Sequence, residues 1–180
     1  MIERMKKIDF RTDILPLKNE LYRLALRITL NPAEAEDVVQ ETMLKVWNRR
    51  ESWDELESIE AFCLTICRNL ALDKIRKMGR NAESIEDQTE THKGGLEIAD
   101  ARANPEEQAV QRDKVRLVRK LIDELSEKQR ACMQLRDIEG KPYKEIAEVL
   151  GITEQQVKTN IFRARQTIKQ KYIETEQYGL

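Results

Sequence analysis

Residues 143–171 read YKEIAEVLGITEQQVKTNIFRARQTIKQK, a stretch that predicts two helices joined by a tight turn. Its first half places three apolar side chains at helical spacing: Ile146, Ala147 and Leu150. Gly151 follows where the backbone must adopt a positive φ, and Ile152 is expected to fill the angle between the helices. The stretch therefore predicts a helix-turn-helix, whose second helix normally lies in the major groove of DNA.

The second predicted helix divides into an inward stripe and an outward face. The inward stripe is apolar and comprises Val157, Ile161, Ala164 and Ile168. The outward face carries Lys158, Thr159, Phe162 and Arg163. Lysine and arginine contact phosphates or guanine edges, threonine hydrogen-bonds to either, and an outward phenylalanine offers contact to a thymine methyl. A solvated face on an ordinary hairpin is the alternative, but the outward Phe162 and the local excess of basic residues favour DNA.

Composition places this helix-turn-helix in an all-helical protein. The 180 residues include 36% charged and only 5% aromatic side chains, with six glycines. The net charge of −1 does not argue against DNA binding, because a surface responds to charges within a Debye length of roughly 8 Å. Acidic residues are concentrated in 83–113, and this middle segment conceals the basic character of the segments that flank it.

The sequence lacks the features that would indicate a membrane protein or a metal site. No apolar run approaches the ~20 residues of a transmembrane helix, so a cytoplasmic protein without membrane insertion is expected. Cys63 and Cys67 lie one helical turn apart, which is poor geometry for a disulfide. With the single His92 they do not complete a metal-ligand set, so we interpret the cysteines as small buried side chains and expect neither metal nor cofactor.

Breaks in helical periodicity divide the chain into two helical domains. Residues 10–77 form helices almost continuously, with breaks at 31–32 and 53–55, which predicts about three helices. Asn31 and Pro32 are the cap and first position of a helix expected to reach about Asn48. A polar, acidic, Gly-containing segment follows the third helix. The predicted organisation is a first domain of residues 1–80, a flexible acidic linker of 81–104 and a second domain of 105–180.

Two surfaces of the first domain are open to more than one interpretation. Opposite the core stripe of the helix that begins at Pro32 lie Asp37, Gln40, Glu41 and Leu44. This set is either plain solvated surface or a docking face with an apolar centre and a polar rim. The next helix is predicted to bury Ile59, Phe62, Cys63, Ile66 and Leu70. On another side it carries Arg68, Asn69 and Arg76, and Lys77 adds charge at its end. These residues suit either a nucleic-acid backbone or simply the dipole at a helix end.

Several short motifs in register resemble one family. They are DVVQETMLKVW at 37–47, RNLALD at 68–73, LSEKQR at 125–130, YKEIA at 143–147 and VKTNIFRAR at 157–165. Together they resemble an extracytoplasmic-function (ECF) RNA polymerase sigma factor of the sigma-70 family. The resemblance covers nearly the whole chain except its tails and linker. It implies a region 2 helical bundle followed by a region 4 helix-turn-helix.

The resemblance also implies partners and roles for particular residues. Core RNA polymerase would be bound through its β′ clamp helices by Asp37, Gln40, Glu41 and Leu44, and through its β flap by the second domain. The −10 promoter element would be opened by the loop of residues 53–58, including Trp53, with Arg68, Asn69, Arg76 and Lys77. The −35 element would be read by Lys158, Thr159, Phe162 and Arg163. An anti-sigma factor is a further implied partner. The acidic residues of the loop, and Asn160 where a basic residue is common, depart from the family pattern.

Other classes of protein fit the sequence less well. No nucleophile–base arrangement, phosphate-binding glycine loop or ligand cluster is apparent, so neither an enzyme nor a small-molecule substrate is expected. A helix-turn-helix regulator that binds duplex operators without being a polymerase subunit is the main alternative. A protein-interaction adaptor that never contacts DNA is another. Transcription initiation by core polymerase would separate these three.

Overall fold

The computed structural model describes residues 7–82 and 105–178, and within these ranges the regular elements are helical. The main helices are α1 (Lys18–Thr29), α2 (Pro32–Asn48), α3 (Ile59–Ala82), α4 (Pro105–Asp123), α5 (Glu127–Met133), α6 (Tyr143–Leu150) and α7 (Glu154–Tyr178). Shorter helical turns span Phe10–Ile14, Leu15–Leu17, Arg50–Glu55 and Gln134–Ile138. The predicted all-α class is confirmed. Most of the predicted linker, with His92, lies outside the described residues.

The boundary between α1 and α2 follows from local chemistry. Leu30 ends α1 in the left-handed conformation, at φ 54°, and its N–H donates to the carbonyl of Leu26. Asn31 is extended, and its side-chain oxygen accepts from the N–H of Glu34 at 3.2 Å. Pro32 then occupies the first position of α2, where a missing N–H has no cost. The predicted start and end of α2 are confirmed.

Helices α1, α2 and α3 pack against one another and form the core of the first domain. The stripe predicted for α2 is buried, as are Leu21, Leu24 and Ile28 of α1. The prediction for α3 was partly wrong, because Ile59, Phe62 and Ile66 are only half-buried. The fully buried stripe of α3 is Cys63, Leu64, Cys67, Leu70 and Ala71. Helix α3 packs against α1, α2 and α6, and the buried stripe that these three neighbours select lies about one residue further along the helix than predicted.

The second domain contains the predicted helix-turn-helix, formed by α6 and α7. Ile146, Val157 and Ala164 are completely buried between the helices. Gly151 has a φ of +63° and caps α6, which confirms the predicted turn. The N–H of Ile152 donates to the carbonyl of Ala147 and closes the turn. The angle between α6 and α7 is therefore set by the backbone as well as by the core.

A reciprocal pair of hydrogen bonds begins α7. The N–H of Gln156 donates to Thr153 Oγ1 at 3.2 Å, and the N–H of Thr153 donates to Gln156 Oε1 at 2.9 Å. This capping box satisfies two N–H groups that have no partner within the helix. We expect Thr153→Ala to lower the free energy of unfolding by about 1 kcal/mol, whereas Thr153→Ser should be nearly neutral. Urea denaturation of the three proteins would measure the difference, and equal loss in both variants would contradict the cap.

The three cysteines of the chain are free and buried. Burial raises the pKa of the Cys63, Cys67 and Cys132 thiols to about 12. The thiolate is the reactive form, so little is present at neutral pH. We therefore expect iodoacetamide to label the native protein very slowly at pH 7 and to label three thiols rapidly once denaturant is added. Mass spectrometry would count the labels, and rapid modification of the native protein would contradict this placement.

The two domains pack against each other. Helices α1 and α3 of the first domain contact α5, the turn Gln134–Ile138 and α6 of the second. Buried apolar residues of both domains form one continuous cluster. Composition and periodicity left the relative placement of the domains open.

Candidate interfaces for protein and DNA

The predicted docking residues share one outward face of α2. Asp37 and Gln40 are exposed, Glu41 is half-exposed, and Leu44 is 64% exposed at the centre. Lys74 of α3 lies at the edge of this face, with its ammonium 2.8 Å from Glu34 and 3.5 Å from Asp37. The hydrogen bond to Glu34 raises the pKa of Lys74. The structure thus brings together the acidic, amide and apolar groups that α2 was predicted to present.

An aromatic group that our sequence interpretation missed extends this face. Trp47, one turn after Leu44, is 46% exposed. Its ring packs edge-on against Phe10 at 5.3 Å and against Trp53 at 6.2 Å. Arg50 lies over its ring at 5.2 Å. The i, i+3 spacing from Leu44 was the signal available in the sequence, because it places both side chains on the same side of a helix.

Trp53 does not lie where the predicted −10 surface requires it. It is 5% exposed, and its indole N–H donates to the carbonyl of Val46 at 3.1 Å. A tryptophan has one polar atom, and here that atom is already satisfied inside the protein. The assignment of Trp53 as a residue that contacts DNA is corrected accordingly. Trp53 anchors the turn Arg50–Glu55 to the end of α2, and the loop residues after it are exposed except for Leu56, which is half-buried.

The other predicted −10 residues follow one side of α3. Asn69, Arg76 and Lys77 are exposed and Arg68 is half-buried. Arg68 donates to the side-chain oxygen of Asn69 at 3.2 Å, and the amide nitrogen of this exposed asparagine is its donor group. Arg49, which our sequence interpretation missed, adds a cation over the Phe62 ring at 6.0 Å. The side therefore carries several cations and one amide, and Asp73 lies 3.5 Å from Arg76 on the same side.

The predicted −35 residues are presented outward on α7. Phe162 is 64% exposed, Lys158 and Arg163 are exposed, and Thr159 is half-exposed. The hydroxyl of Thr159 donates to the carbonyl of Gln155 at 2.9 Å, so toward DNA it can only accept, for example from the amino group of a cytosine or an adenine. A large exposed phenylalanine among cations is unusual for solvated surface and suits apolar contact with a base.

Tyr143 contacts this surface through Lys158 and also packs against Arg136. The Tyr143 ring lies between two cations, with Arg136 at 4.7 Å and the Lys158 ammonium at 5.6 Å from its centroid. Arg165 forms an ion pair with Asp137, which ties α7 to the turn before α6. Asn160 donates to the carbonyl of Gln156 at 2.8 Å. Its side chain is thus used within the helix.

The surfaces described above offer recognition by charge, hydrogen bonding and apolar contact. Across residues 7–82 and 105–178, no three side chains of the metal-binding types are grouped as an ion would require. In the same ranges, every helix is too short or too polar to cross a membrane.

Comparison with known proteins identifies both domains. The family description "Sigma-70 region 2" matches residues 14–81, and "Sigma-70, region 4" matches residues 116–168. The ECF RNA polymerase sigma factor SigL of Mycobacterium tuberculosis is 32% identical over 151 residues, which are 83% of this chain and 80% of that protein. SigW of Bacillus subtilis, also an ECF sigma factor, is 29% identical over 178 residues, covering 94% of each chain.

Solved structures agree at the level of the fold. The sigma factor RpoE of Bartonella quintana, solved in complex with the anti-sigma factor NepR, superposes with a TM-score of 0.71. It is 23% identical and covers 90% of this chain and 95% of its own. CnrH, solved with the cytosolic domain of CnrY, superposes with a TM-score of 0.62 at 21% identity, covering 92% and 88%.

Proposed function

Since this chain belongs to the ECF sigma factors of the sigma-70 family, we propose that its two domains divide promoter recognition between the surfaces described above. The chain is an alternative sigma factor of RNA polymerase. The first domain docks on the β′ clamp helices through Asp37, Gln40, Glu41 and Leu44. Trp47 extends the same docking face. The exposed acidic and amide rim around Leu44 carries this proposal, because it has the composition of an interface with an apolar centre.

The −10 element is opened and held by the outward side of α3. Asn69 offers an amide donor to a base, while Arg68, Arg76 and Lys77 neutralise phosphates. Bases splayed from the duplex lose stacking and pairing, and contacts to the single strand compensate for this loss. Trp53 contributes indirectly, since it fixes the position of the loop that follows it.

The −35 element is read as duplex by α7, which enters the major groove. Arg163 contacts a guanine edge, Phe162 packs against a thymine methyl, and Thr159 accepts a hydrogen bond. Lys158 adds a phosphate contact, with its ammonium steadied by Tyr143. The β flap holds this domain on polymerase at the appropriate distance upstream.

The remaining assignments follow from membership of the family. The chain performs no chemistry of its own and acts in the cytoplasm, where polymerase is found. An anti-sigma factor restrains it, as RpoE was solved in complex with one. The domains correspond to residues 1–80 and 105–180, joined by a linker of 81–104, with α3 ending at Ala82.

Run-off transcription tests the proposal. Purified chain is added to core RNA polymerase on a library of genomic fragments, and the transcripts are sequenced. We expect initiation downstream of a shared pair of elements only when both the chain and core are present. A helix-turn-helix regulator would instead bind duplex operators without core and would start no transcript, and that result would contradict the proposal.

A further inference from the structure

A buried arginine joins the two domains at the end of α1. Arg130 of α5 is 9% exposed. Its guanidinium donates to the carbonyls of Arg27 at 2.7 Å and Ile28 at 3.3 Å, in the last turn of α1. Carbonyls in a last helical turn have no partner within the helix, and a cation there also complements the helix dipole. Arg130 belongs to the second domain, so a side chain of the second domain caps a helix of the first.

A lysine occupies the middle of the same contact. Lys141 is 12% exposed, and its ammonium lies 3.0 Å from Glu20 of α1 and 2.5 Å from Glu60 of α3. Glu145 of its own domain is 4.0 Å away. Burial would lower the pKa of Lys141, but the hydrogen bonds to Glu60 and Glu20 outweigh it and raise that pKa. Lys141 thus links α1 and α3 to the second domain. Separating the domains would leave a partly buried charge without its partner, which costs free energy.

Two further ion pairs flank Lys141 and Arg130. Arg23 makes a two-pronged contact with Glu139, with both nitrogen–oxygen distances 2.7 Å, and Gln134 donates to the same carboxylate at 2.8 Å. Arg27 contacts Asp123 at 3.0 Å. We call this set, comprising Arg23, Arg27, Arg130, Lys141 and their partners, the interdomain latch. Every member belongs to this chain.

The latch brings α6 against the side of α3 that leads to the proposed −10 residues. Ala61, Phe62 and Thr65 line a cleft whose opposite wall is Pro142, Lys144, Glu145 and Glu148 of the second domain. Thr65 precedes Asn69 by four residues, so the two side chains lie on the same side of α3. The cleft is also lined by Glu57, and its three carboxylates outnumber the ammonium of Lys144. A nucleic-acid strand that continues along α3 from Asn69 would meet both a steric wall and repelling charge.

We propose that the interdomain latch is an autoinhibitory contact, which holds the chain closed, shields the stretch of α3 that precedes the exposed Asn69 and must open before a nucleic-acid strand can run along that whole side of the helix. The shielding rests on the proposed −10 surface, whereas the closure rests on the latch contacts alone. The sequence between α3 and α4 counts 22 residues, and a chain of that length reaches at most about 70 Å, so its length alone does not prevent the domains from separating.

Small-angle X-ray scattering of the full chain tests the closure. The wild type should have a radius of gyration close to the ~16 Å of a compact chain of this length. Lys141→Glu should give a radius well above that value, because a carboxylate then faces Glu20 and Glu60. Adding Glu60→Lys to Lys141→Glu should restore the compact radius. Lys128→Glu is the matched control, since it makes the same charge change at an exposed position of the second domain and should stay compact.

Binding of a labelled single-stranded oligonucleotide of mixed sequence, measured by fluorescence anisotropy, tests the shielding. The apparent affinity of the chain equals the affinity of its open form multiplied by the fraction of molecules that are open. If one wild-type chain in ten is open, Lys141→Glu should therefore bind the oligonucleotide ~10-fold more tightly than the wild type. The charge change alone would weaken binding to a polyanion, as Lys128→Glu should show. A gain can therefore arise only from opening.

Four results would contradict the proposed latch. The first three are an expanded wild type, a folded Lys141→Glu variant that stays compact, and an expanded variant without any gain in oligonucleotide binding. The fourth, monitored by circular dichroism, is a loss of helix in Lys141→Glu that the charge swap with Glu60 fails to restore. These measurements omit polymerase, so failure of the sigma-factor surfaces would appear in run-off transcription and not in the radius.

Discussion

Replacing Asp37, Gln40 and Glu41 together with alanine should weaken binding to core RNA polymerase by ~100-fold or more and abolish initiation. Each replacement removes a charged or amide contact beside Leu44, and about 1 kcal/mol from each of the three adds up to roughly a 100-fold loss. The helix itself should remain folded, because alanine is the best helix former and all three side chains lie outside the core. Pull-down with core polymerase and run-off transcription would measure the two effects.

A matched control separates docking from general loss of charge. Glu174, Glu176 and Gln177 are exposed near the end of α7 and, like the docking triple, comprise two acidic residues and one glutamine. Their replacement with alanine should leave core binding within about twofold, since surface substitutions away from a site usually change a free energy by no more than ~0.5 kcal/mol. If the docking triple and this control bound core equally well, the assignment of the α2 face would be wrong.

Arg163→Ala should change which promoters are used rather than how tightly DNA in general is bound. Loss of a two-pronged contact to a guanine should cost about 1 to 3 kcal/mol at one −35 position and relax the preference there. Lys158→Ala should weaken binding to all sequences about equally and reduce the salt slope by about one unit, with a smaller effect on preference. Transcription from a set of −35 point mutants, at several salt concentrations, would distinguish the two outcomes.

Lys169 provides the control for this prediction. It is an exposed cation on the same helix, so Lys169→Ala removes the same charge. Arg163→Ala and Lys169→Ala should both spare core binding, because the docking face lies in the first domain. An Arg163→Ala protein with unchanged promoter preference and activity would show that α7 does not read the −35 element through this residue.

Local signals in the sequence determined most of the helices and the orientation of two of their faces. The cap at Asn31, the proline after it and the positive φ of Gly151 depend on residues next to them in the chain. The outward placement of Phe162 follows from helical period alone. Such features are predictable because the interactions that create them span only three or four residues.

The tertiary structure decided what depends on contacts between distant residues. Periodicity could not show that Trp53 is buried, because its partner is a carbonyl at the end of another element. Nor could it show that Phe62 and Ile66 are only half-buried, since the width of the buried stripe on α3 depends on how many helices pack against it. Arg130 and Lys141 are ordinary surface cations by composition. They form interdomain contacts only because α1 and α3 supply carbonyls and carboxylates that are distant in the sequence. The residues next to Arg130 and Lys141 in the sequence give no indication of these partners.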